Sequence, residues 1–269
     1  MMNSLDYLKK TRQNGKRYFT LEQFMLDRKL SQNAALNAIH RLKTHGDLIS
    51  PVRGLYVIVP PENQSQGSIP AEDLLPILMN YLKADYYVSL LSAAQYHGAA
   101  HQKAGCFQFI SNKRIKHRLE FGQIKLELIY KKCLADLPIQ DITVRTGYLK
   151  IATPELVILD LLTYISKSGG LNHIATILSE LIEVVNANKL IQLAEKSKKH
   201  AWVQRLGYIL EHIDSMDGEK LKNIVNILDA YLRKKKKAFI PLAPELSKKG
   251  CSREKKWMII ENTTIESDL

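Results

Sequence analysis

The stretch from Ser31 to Leu48 carries the side chains best suited to chemistry with a partner. Amides, an imidazole and a guanidinium recur on one side of an expected helix, with no carboxylate among them: Gln32, Asn33, Asn37, His40 and Arg41. Amides and guanidinium groups can form paired hydrogen bonds with base edges, and cations neutralise backbone phosphates. The stretch therefore predicts a helix that contacts DNA, with these five residues as candidate contacts.

The other side of this expected helix is small and apolar, because its residues recur three and four apart: Ala35, Ala38, Ile39 and Leu42. Ser31 is a suitable N-cap, and Gly46 is the residue type that ends helices. A polar helix face is also what any solvent-exposed helix shows. The flanking segments must therefore decide between the two interpretations.

The flanking segments complete a winged helix-turn-helix. Thr20 can cap a helix over residues 21–28, and Lys29-Leu30 forms a short turn into the DNA-contacting helix. Residues 51–60 predict a short hairpin with Arg53-Gly54 at its turn, which would be the wing. Arg53 is then a candidate for phosphate or minor-groove contact. A helix, tight turn, helix and hairpin in about 45 residues favour DNA binding.

Charge supports this interpretation. The 269-residue chain has a formal net charge of +12. Residues 1–59 hold ten Lys and Arg against four Asp and Glu, residues 60–232 nineteen against eighteen, and residues 233–269 ten against five. The basic N-terminal part favours nucleic-acid binding through release of counterions. The basic runs of the C-terminal part are typical of solvated chain, although a phosphate-contacting role stays open.

Composition and cysteine spacing point to a cytoplasmic protein. Three cysteines lie far apart, which matches neither a disulfide framework nor a zinc motif. The N-terminus lacks the basic and apolar pattern of a signal peptide, and no apolar run is long enough to span a bilayer. We therefore expect no membrane association and a reducing compartment.

Pattern changes along the chain predict an α+β fold: an N-terminal winged helix-turn-helix followed by a larger mixed α/β C-terminal domain with a small sheet and several helices. The proline- and amide-rich segment 61–69 is the expected linker between domain 1–60 and domain 70–269. Within the second domain we expect the sheet in residues 84–152, helices in residues 153–235, and a basic tail in residues 236–269. Ser68 is the expected cap of a helix over residues 70–83 that Pro76 kinks or ends. Strands are expected at residues 106–110, 124–129 and 143–152, with a last one at 257–260 returning to the sheet.

Two histidines invite a test for a metal site. His97 and His101 are four apart, but Gly98 stands where a metalloprotease needs Glu, and no third ligand is apparent. Structural or partner-contact roles are therefore favoured for the pair, and no metal site is predicted.

Catalytic motifs are also missing. Neither Ser89 nor Ser92 lies in a nucleophile elbow, and no phosphate-binding GxxxxGK[ST] loop occurs. The acids after Gly67-Ser68 are adjacent at a helix start, where they cannot converge on two Mg²⁺ ions. Glu254-Lys-Lys256 has nuclease-like spacing but lies in a lysine-rich polar stretch. We therefore predict no catalytic residues and no cofactor.

Several motifs resemble the AbiEi family, the antitoxins of bacterial type IV toxin–antitoxin and abortive-infection systems. The resemblance spans nearly the whole chain and is most specific in its first and fifth motifs: Tyr86 to Gln102, Thr146-Gly-Tyr148, Thr153-Pro-Glu155 with Leu159-Asp-Leu161, Ser168 to Asn172, Gln204-Arg-Leu-Gly-Tyr208 and Trp257 to Asn262.

The resemblance implies a repressor and antitoxin. Its winged helix would bind double-stranded DNA at inverted repeats in its own promoter, and its C-terminal domain would neutralise a nucleotidyltransferase-like toxin without a stable complex. Two alternatives stay open on the residues alone: a nucleic-acid-processing enzyme targeted by the winged helix, and a ligand-sensing regulator whose pocket is lined by the Tyr86 to Gln102 region. Oligomeric state is also open, because two half-sites can be filled by a dimer or by cooperating monomers.

Overall fold

A computed structural model describes residues 3–99, 105–214, 217–235 and 237–265. The chain forms two compact units, each built from more than one segment. The first comprises Met1–Val88, Gly105–Ala135 and Asp141–Lys150, and the second comprises Ser89–Ala104, Asp136–Gln140 and Ile151–Leu269. The division at residues 60 and 70 stays a prediction. The mixed α+β composition is confirmed.

The first sixty residues contain three helices and a small sheet. In chain order these are α1 (Ser4–Gln13), β1 (Tyr18–Thr20), α2 (Leu21–Arg28), α3 (Gln32–Thr44), β2 (Leu48–Ile49) and β3 (Leu55–Ile58). The strands are antiparallel in the order β1-β3-β2, with Tyr18 opposite Val57 and Leu48 opposite Ile58. Burial of both faces of β3 places this strand at the centre of the small sheet.

Local capping sets the turn between α2 and α3. Thr20 and Gln23 form a capping box at the start of α2, as the N-cap prediction required. Lys29 takes the left-handed conformation at the end of α2, with φ +50°. Ser31 then caps α3 by accepting the backbone N–H of Ala34 at 3.4 Å. The chain can therefore reverse in three residues without leaving helix ends unsatisfied.

An aromatic cluster forms the core of these elements. The ring centroids of Phe24 lie 5.0 Å from Tyr7 and 5.3 Å from Phe19, and Phe19 lies 5.7 Å from Tyr56. The apolar side of α3 packs into the same core. Burial, followed by the hydrogen bond to Asp27, raises the pKa of Tyr7 to about 12.

The segment predicted as a linker is an ordered 3₁₀-helix, Pro61–Gln66. The Gln66 carbonyl accepts the backbone N–H of Gln123 at 2.8 Å, so the segment is attached to a strand hairpin. A Cβ built at Gly122 would lie 2.7 Å from the Cα of Gly67, and both residues have positive φ. The two backbones can therefore approach closely because both residues are glycine.

The helix α4 (Ala71–Leu82) passes through Pro76. We expected Pro76 to kink this helix or to end its first part; the helix does not end there, and four neighbouring residues are almost fully buried: Leu74, Leu75, Ile77 and Leu78. Burial of this apolar turn outweighs the one backbone hydrogen bond that proline removes. Pro70 occupies the N-cap position expected for Ser68, which is buried instead.

A mixed six-stranded sheet follows. Its strands are β4 (Tyr86–Val88), β5 (Phe107–Ser111), β6 (Arg118–Phe121), β7 (Ile124–Tyr130), β8 (Ile139–Val144) and β9 (Gly147–Ala152). Their spatial order is β6-β7-β5-β4-β9-β8, and β5 and β7 are parallel.

The strand predicted over residues 143–152 is confirmed over its second part as β9, but its start is wrong, because residues 143–144 end β8 and a turn separates the two strands. Asp73 holds the turn between them. Its carboxylate accepts the Arg145 backbone N–H at 3.0 Å, and its carbonyl accepts the Thr146 hydroxyl at 2.7 Å. A residue more than seventy positions earlier thus sets this turn, which strand periodicity cannot reveal.

The second unit is mostly helical. It contains α5 (Leu90–Tyr96), α6 (Pro154–Thr163), α7 (Leu171–Leu181), α8 (Ala187–Ser197), α9 (Ala201–Leu210) and α10 (Gly218–Arg233), with a short 3₁₀-helix at Ile165–Lys167. Every residue of α6 from Glu155 to Leu162 is buried, so α6 is a central element of this unit.

The last apolar segment forms a strand, but it does not return to the six-stranded sheet. Instead β12 (Ile259–Ile260) pairs with β10 (Ile240–Pro241) in parallel and with β11 (Arg253–Glu254) in antiparallel orientation. This prediction was wrong because two short strands that precede β12 in the chain, β10 and β11, pair with its two edges instead.

Candidate nucleic-acid interface

The five candidate contacts on α3 are all exposed, while Ala35, Ala38, Ile39 and Leu42 are buried. Helical spacing puts Asn33, Asn37 and Arg41 in one row, four residues apart. Gln32, Leu36 and His40 form a second row, in which Leu36 is 40% exposed. The structure therefore brings the predicted amides, imidazole and guanidinium together on one helix face.

The hydrogen bonds that side chains form within α3 do not use the side-chain amides of this face. Arg41 Nε donates to the Asn37 carbonyl at 3.4 Å, which directs the guanidinium back along the helix. Thr44 Oγ1 donates to the His40 carbonyl at 3.0 Å. These bonds use backbone acceptors, so the side-chain amides of Asn33 and Asn37 are not consumed by them. The face can offer both donors and acceptors to a base edge.

Arg53 lies in the turn between β2 and β3, as predicted, and its side chain is exposed. The turn is held from two sides. The Gly54 carbonyl accepts the Leu21 N–H at the start of α2 at 3.1 Å, and the Arg53 carbonyl accepts the Tyr81 hydroxyl from α4 at 3.1 Å. Gly54 has φ +86°, and a Cβ there would lie 2.7 Å from the Tyr81 oxygen. The turn carrying Arg53 is thus fixed by α2 and α4 rather than by α3.

A basic cavity of about 410 Å³ lies at the other end of the small sheet. It is lined by Lys9, Arg12, Gln13, Gly15, Arg17 and Glu62. Arg17 precedes β1, whose far end, Thr20, pairs with Leu55 beside the Arg53 turn. This cavity is therefore separate from the turn. A second cavity, of about 400 Å³, is lined by residues of α1, β1 and α2 and their connecting segment.

A further cluster of cations was not singled out by the sequence analysis. Because β5 and β7 are parallel, Ser111 and Tyr130 end at the same side of the sheet, and Asp85 precedes β4 there. Five exposed cations follow or precede these strand ends, and we call them the sheet-end patch: Lys83, Lys113, Arg114, Lys116 and Lys132.

The signal for this patch was present in the sequence. Residues 113–118 contain four Lys or Arg and no acid. The near-neutral sum over residues 60–232 concealed that run. The nearby acid Asp85 is engaged, because Asn112 Nδ2 donates to its carboxylate at 2.9 Å.

The residues considered for metal chemistry have structural partners. His97 Nε2 lies 2.8 Å from the Ala152 carbonyl, so this nitrogen donates its proton to the backbone. His101 lies outside the described residues. In the part of the chain that the structure describes, no group of three or more His, Cys, Asp or Glu could hold a metal ion. None of the three cysteines forms a disulfide.

Glu254, considered for a nuclease, caps the following turn. Its two carboxylate oxygens accept the backbone N–H groups of Lys256 at 2.6 Å and Trp257 at 2.7 Å. The Lys256 side chain pairs with Glu211. These contacts give Glu254 and Lys256 structural roles.

Two motifs of the resemblance hold parts of the second unit together. The Ser89 hydroxyl donates to the buried Asp160 carboxylate at 2.8 Å. From the Gln204 motif, Gln204 Nε2 donates to the Trp257 carbonyl at 2.8 Å, and Arg205 Nε donates to the Leu242 carbonyl at 3.1 Å. Burial lowers the pKa of the Arg205 guanidinium.

The last residue of that motif is tied to the C-terminal segment. The Tyr208 hydroxyl donates to Glu261 at 2.9 Å, and the Ser252 hydroxyl donates to the same carboxylate at 2.7 Å. These two hydrogen bonds lower the pKa of Glu261, while burial followed by the bond to Glu261 raises the pKa of Tyr208. The Gln204 motif thus forms hydrogen bonds with the C-terminal segment of the chain.

Comparison with known proteins agrees with these motifs. Residues 87–212 match the model of the AbiEi antitoxin C-terminal domain. No curated protein matches the chain. Within the described residues, no helix has both the length and the apolar character needed to cross a bilayer.

Two solved structures are similar to the chain. The RV2827C protein from Mycobacterium tuberculosis superposes with a TM-score of 0.64 at 17% identity, covering 94% of this chain and 89% of that one. This likeness shows a shared fold. An antigenic nucleotidyltransferase-like protein from Paracoccidioides brasiliensis has a TM-score of 0.33 at 11% identity, covering 54% and 93%, which is too low for a fold comparison. Residues 87–212 therefore belong to the family of AbiEi antitoxin C-terminal domains.

Proposed function

We propose that this protein is a non-enzymatic antitoxin that also represses its own operon, binding double-stranded DNA through a winged helix-turn-helix in residues 1–60. The observation that carries the proposal is the exposed, acid-free face of α3. It presents three amides, an imidazole and a guanidinium on a helix whose reverse side is buried.

The surrounding elements support this assignment. A three-residue reversal joins α2 to α3, and a hairpin with an exposed arginine at its turn follows. In a winged helix, the second helix of the pair enters the major groove and the hairpin contacts the neighbouring backbone or minor groove. We propose that Gln32, Asn33, Asn37, His40 and Arg41 contact the major groove, with Arg53 at the phosphates or minor groove.

A mobility-shift assay with the protein's own promoter tests this proposal. Asn37→Ala with Arg41→Ala removes one amide and one cation from the proposed groove face. We expect loss of preference for the promoter over a scrambled duplex, because each bidentate base contact contributes about 1–3 kcal/mol of discrimination. The folded state should persist, since both side chains are exposed.

Asn188→Ala with Lys189→Ala is the matched control, because it likewise removes one amide and one cation, from an exposed part of α8. Promoter binding should be unchanged in this control. Wild-type promoter preference in the Asn37 and Arg41 variant would contradict the assignment of α3 as the groove-contacting helix.

The family match supports an antitoxin role. We propose that the toxin is a nucleotidyltransferase-like protein encoded beside this chain, that the antitoxin acts in the cytoplasm, and that no stable complex forms. Co-expression with the neighbouring gene should restore growth, and a tagged antitoxin should not retain the toxin on a column. Retention at equal stoichiometry would overturn the proposed absence of a complex, and failure to restore growth would overturn the choice of toxin.

A further inference from the structure

We propose that the basic cavity before β1 is a binding site for a small phosphorylated sugar, a ligand class that goes beyond the proposed function. The cavity has a volume of about 410 Å³, which lies in the range of small-molecule sites. All its lining residues belong to the first compact unit, and none of them lies on α3. They are polar, except for one glycine: Lys9, Arg12, Gln13, Gly15, Arg17 and Glu62.

The cavity concentrates positive charge that the protein does not neutralise. Three cations line it against one carboxylate, Glu62, and none of the three forms an ion pair with a carboxylate in the described parts of the chain. Like charges around one space repel each other, and a bound anion relieves that repulsion. Arg12 also lies in the last turn of α1, where a cation complements the helix dipole. That explanation does not cover Arg17, which lies beyond the helix.

The backbone that carries these side chains is fixed by hydrogen bonds. The Gly15 N–H donates to the Arg12 carbonyl at 2.9 Å and closes the end of α1. The Arg17 carbonyl accepts the Ile58 N–H at 2.9 Å, which joins the approach to β1 to β3. The 3₁₀-helix that carries Glu62 is attached to the hairpin of β6 and β7. A ligand therefore meets preformed backbone, which lowers the entropy cost of binding.

The cations favour a phosphate group over a single carboxylate. Arg12 and Arg17 have planar guanidinium groups, each of which can donate two parallel hydrogen bonds to phosphate oxygens. The Lys9 ammonium adds a third positive charge. Arg17 is half-buried, while Lys9 and Arg12 are exposed, so a ligand can reach the group from solvent. Three cations suit the charge of a phosphate monoester.

The other polar side chains favour hydroxyl groups beside that phosphate. The Glu62 carboxylate only accepts hydrogen bonds, and the Gln13 amide both donates and accepts. Sugar hydroxyls supply the donors that Glu62 needs, whereas the backbone of duplex DNA offers acceptors only. The six described residues that line the cavity include no aromatic ring on which a base could stack. The recognised group is therefore a phosphorylated sugar rather than a base or a duplex.

Calorimetric titration of the full chain with four probes tests the proposal. Ribose 5-phosphate should bind with a Kd below about 1 mM. Ribose should not bind, and inorganic phosphate should bind at least about ten-fold more weakly, because each lacks one of the two recognised groups. AMP should bind no more tightly than ribose 5-phosphate, because no ring stacks its base. Tighter binding of AMP would overturn the sugar phosphate in favour of a nucleotide, and equal binding of ribose would overturn the role of the cations.

Substitution of the two arginines places the ligand in this cavity. Arg12→Gln with Arg17→Gln should weaken ribose 5-phosphate binding by about 100-fold or more, because each charged hydrogen bond contributes about ten-fold. Arg114→Gln with Arg118→Gln is the matched control, since it removes two exposed guanidinium groups from the same unit outside the cavity. The control should bind as wild type. Equal affinity of the folded cavity variant and the control overturns the proposal.

Two further variants keep the test decisive. Lys9→Gln with Arg12→Gln spares half-buried Arg17 and should also weaken binding, which covers the case that the first variant folds poorly. Glu62→Met removes the acceptor for sugar hydroxyls. The ratio of ribose 5-phosphate affinity to inorganic phosphate affinity should then fall by about ten-fold, because the lost negative charge acts on both phosphates alike. An unchanged ratio shows that Glu62 does not contact the sugar and overturns that part of the assignment.

Duplex DNA is the competing occupant of the cavity. If no probe binds, and the Arg12 and Arg17 variant loses promoter affinity instead, the cavity contacts DNA and the proposal is wrong. Failure of the proposal leaves the repressor function intact, because promoter preference is tested separately through Asn37 and Arg41. Loss of that function would equally leave sugar-phosphate binding in place.

Discussion

Gly207 of α9 faces the indole of Trp257 so closely that a Cβ built at Gly207 would lie 2.1 Å from Trp257 Cζ3. Trp257 is fully buried, and its indole N–H donates to Glu211 at 2.7 Å. The glycine of the Gln204 motif thus makes room for an aromatic ring from the C-terminal segment. This contact explains why a glycine is found inside a buried helix, where it lowers helix stability.

Gly207→Ala should destabilise the protein by about 2 kcal/mol or more, because the added methyl group forces the buried indole or the helix to shift. Urea unfolding measures the change. Gly218→Ala is the control, since no atom lies within 4 Å of its Cβ position at the start of α10. That variant should be neutral or slightly stabilising. Equal stability of the two variants would show that α9 and Trp257 adjust freely.

Removing the N-cap of α3 should separate folding from DNA binding. Ser31→Ala loses the bond to the Ala34 N–H and should cost about 1 kcal/mol of unfolding free energy. Ser31→Asp restores a cap, so stability should return, but its carboxylate at the start of the proposed groove helix should repel phosphates. Thermal unfolding and promoter titration are compared for the two variants. Wild-type promoter affinity in Ser31→Asp would place the DNA elsewhere.

The turn that carries Arg53 should depend on the Tyr81 hydroxyl. Tyr81→Phe removes the hydrogen bond to the Arg53 carbonyl but keeps the ring. A typical hydrogen bond contributes about 1 kcal/mol, so promoter affinity should fall by up to about five-fold. Tyr148→Phe, at a ring that is 67% exposed, is the control and should bind as wild type. An unchanged affinity in Tyr81→Phe would mean that the turn is held without this bond.

Stability should fall at alkaline pH through Tyr86. Burial raises the pKa of Tyr86 to about 12. Its folded-state pKa is therefore above the unfolded value, so the stabilising contribution is present below pH 10.0 and is lost as pH rises toward 12. Between about pH 9 and about pH 11, wild type should lose about 1 kcal/mol more unfolding free energy than Tyr86→Phe. An identical loss in urea unfolding of the two proteins would contradict the buried placement of this phenol.

The helices α2 and α3 and their caps could be predicted from the sequence because their signals are local. Ser31 and Thr20 cap the helices expected of them, and the three-to-four spacing of alanine and leucine identified the buried side of α3. The proposed DNA contacts of that face stay a prediction, but its exposure did follow from the pattern. A helix face is set by residues within a few turns of one another.

Other features needed the folded chain. Asp73 hydrogen-bonds to the turn between β8 and β9, more than seventy residues away in the chain. The strand β12 pairs with β10 and β11, although the sequence offered it several other possible partners. The sheet-end patch gathers cations from three segments because parallel β5 and β7 end on the same side. Residue types and their spacing along the chain identify which residues are charged, which cap a helix and which are buried. Strand order and long-range hydrogen bonds alone determine which of those charges share a surface, since neither is encoded in any local period.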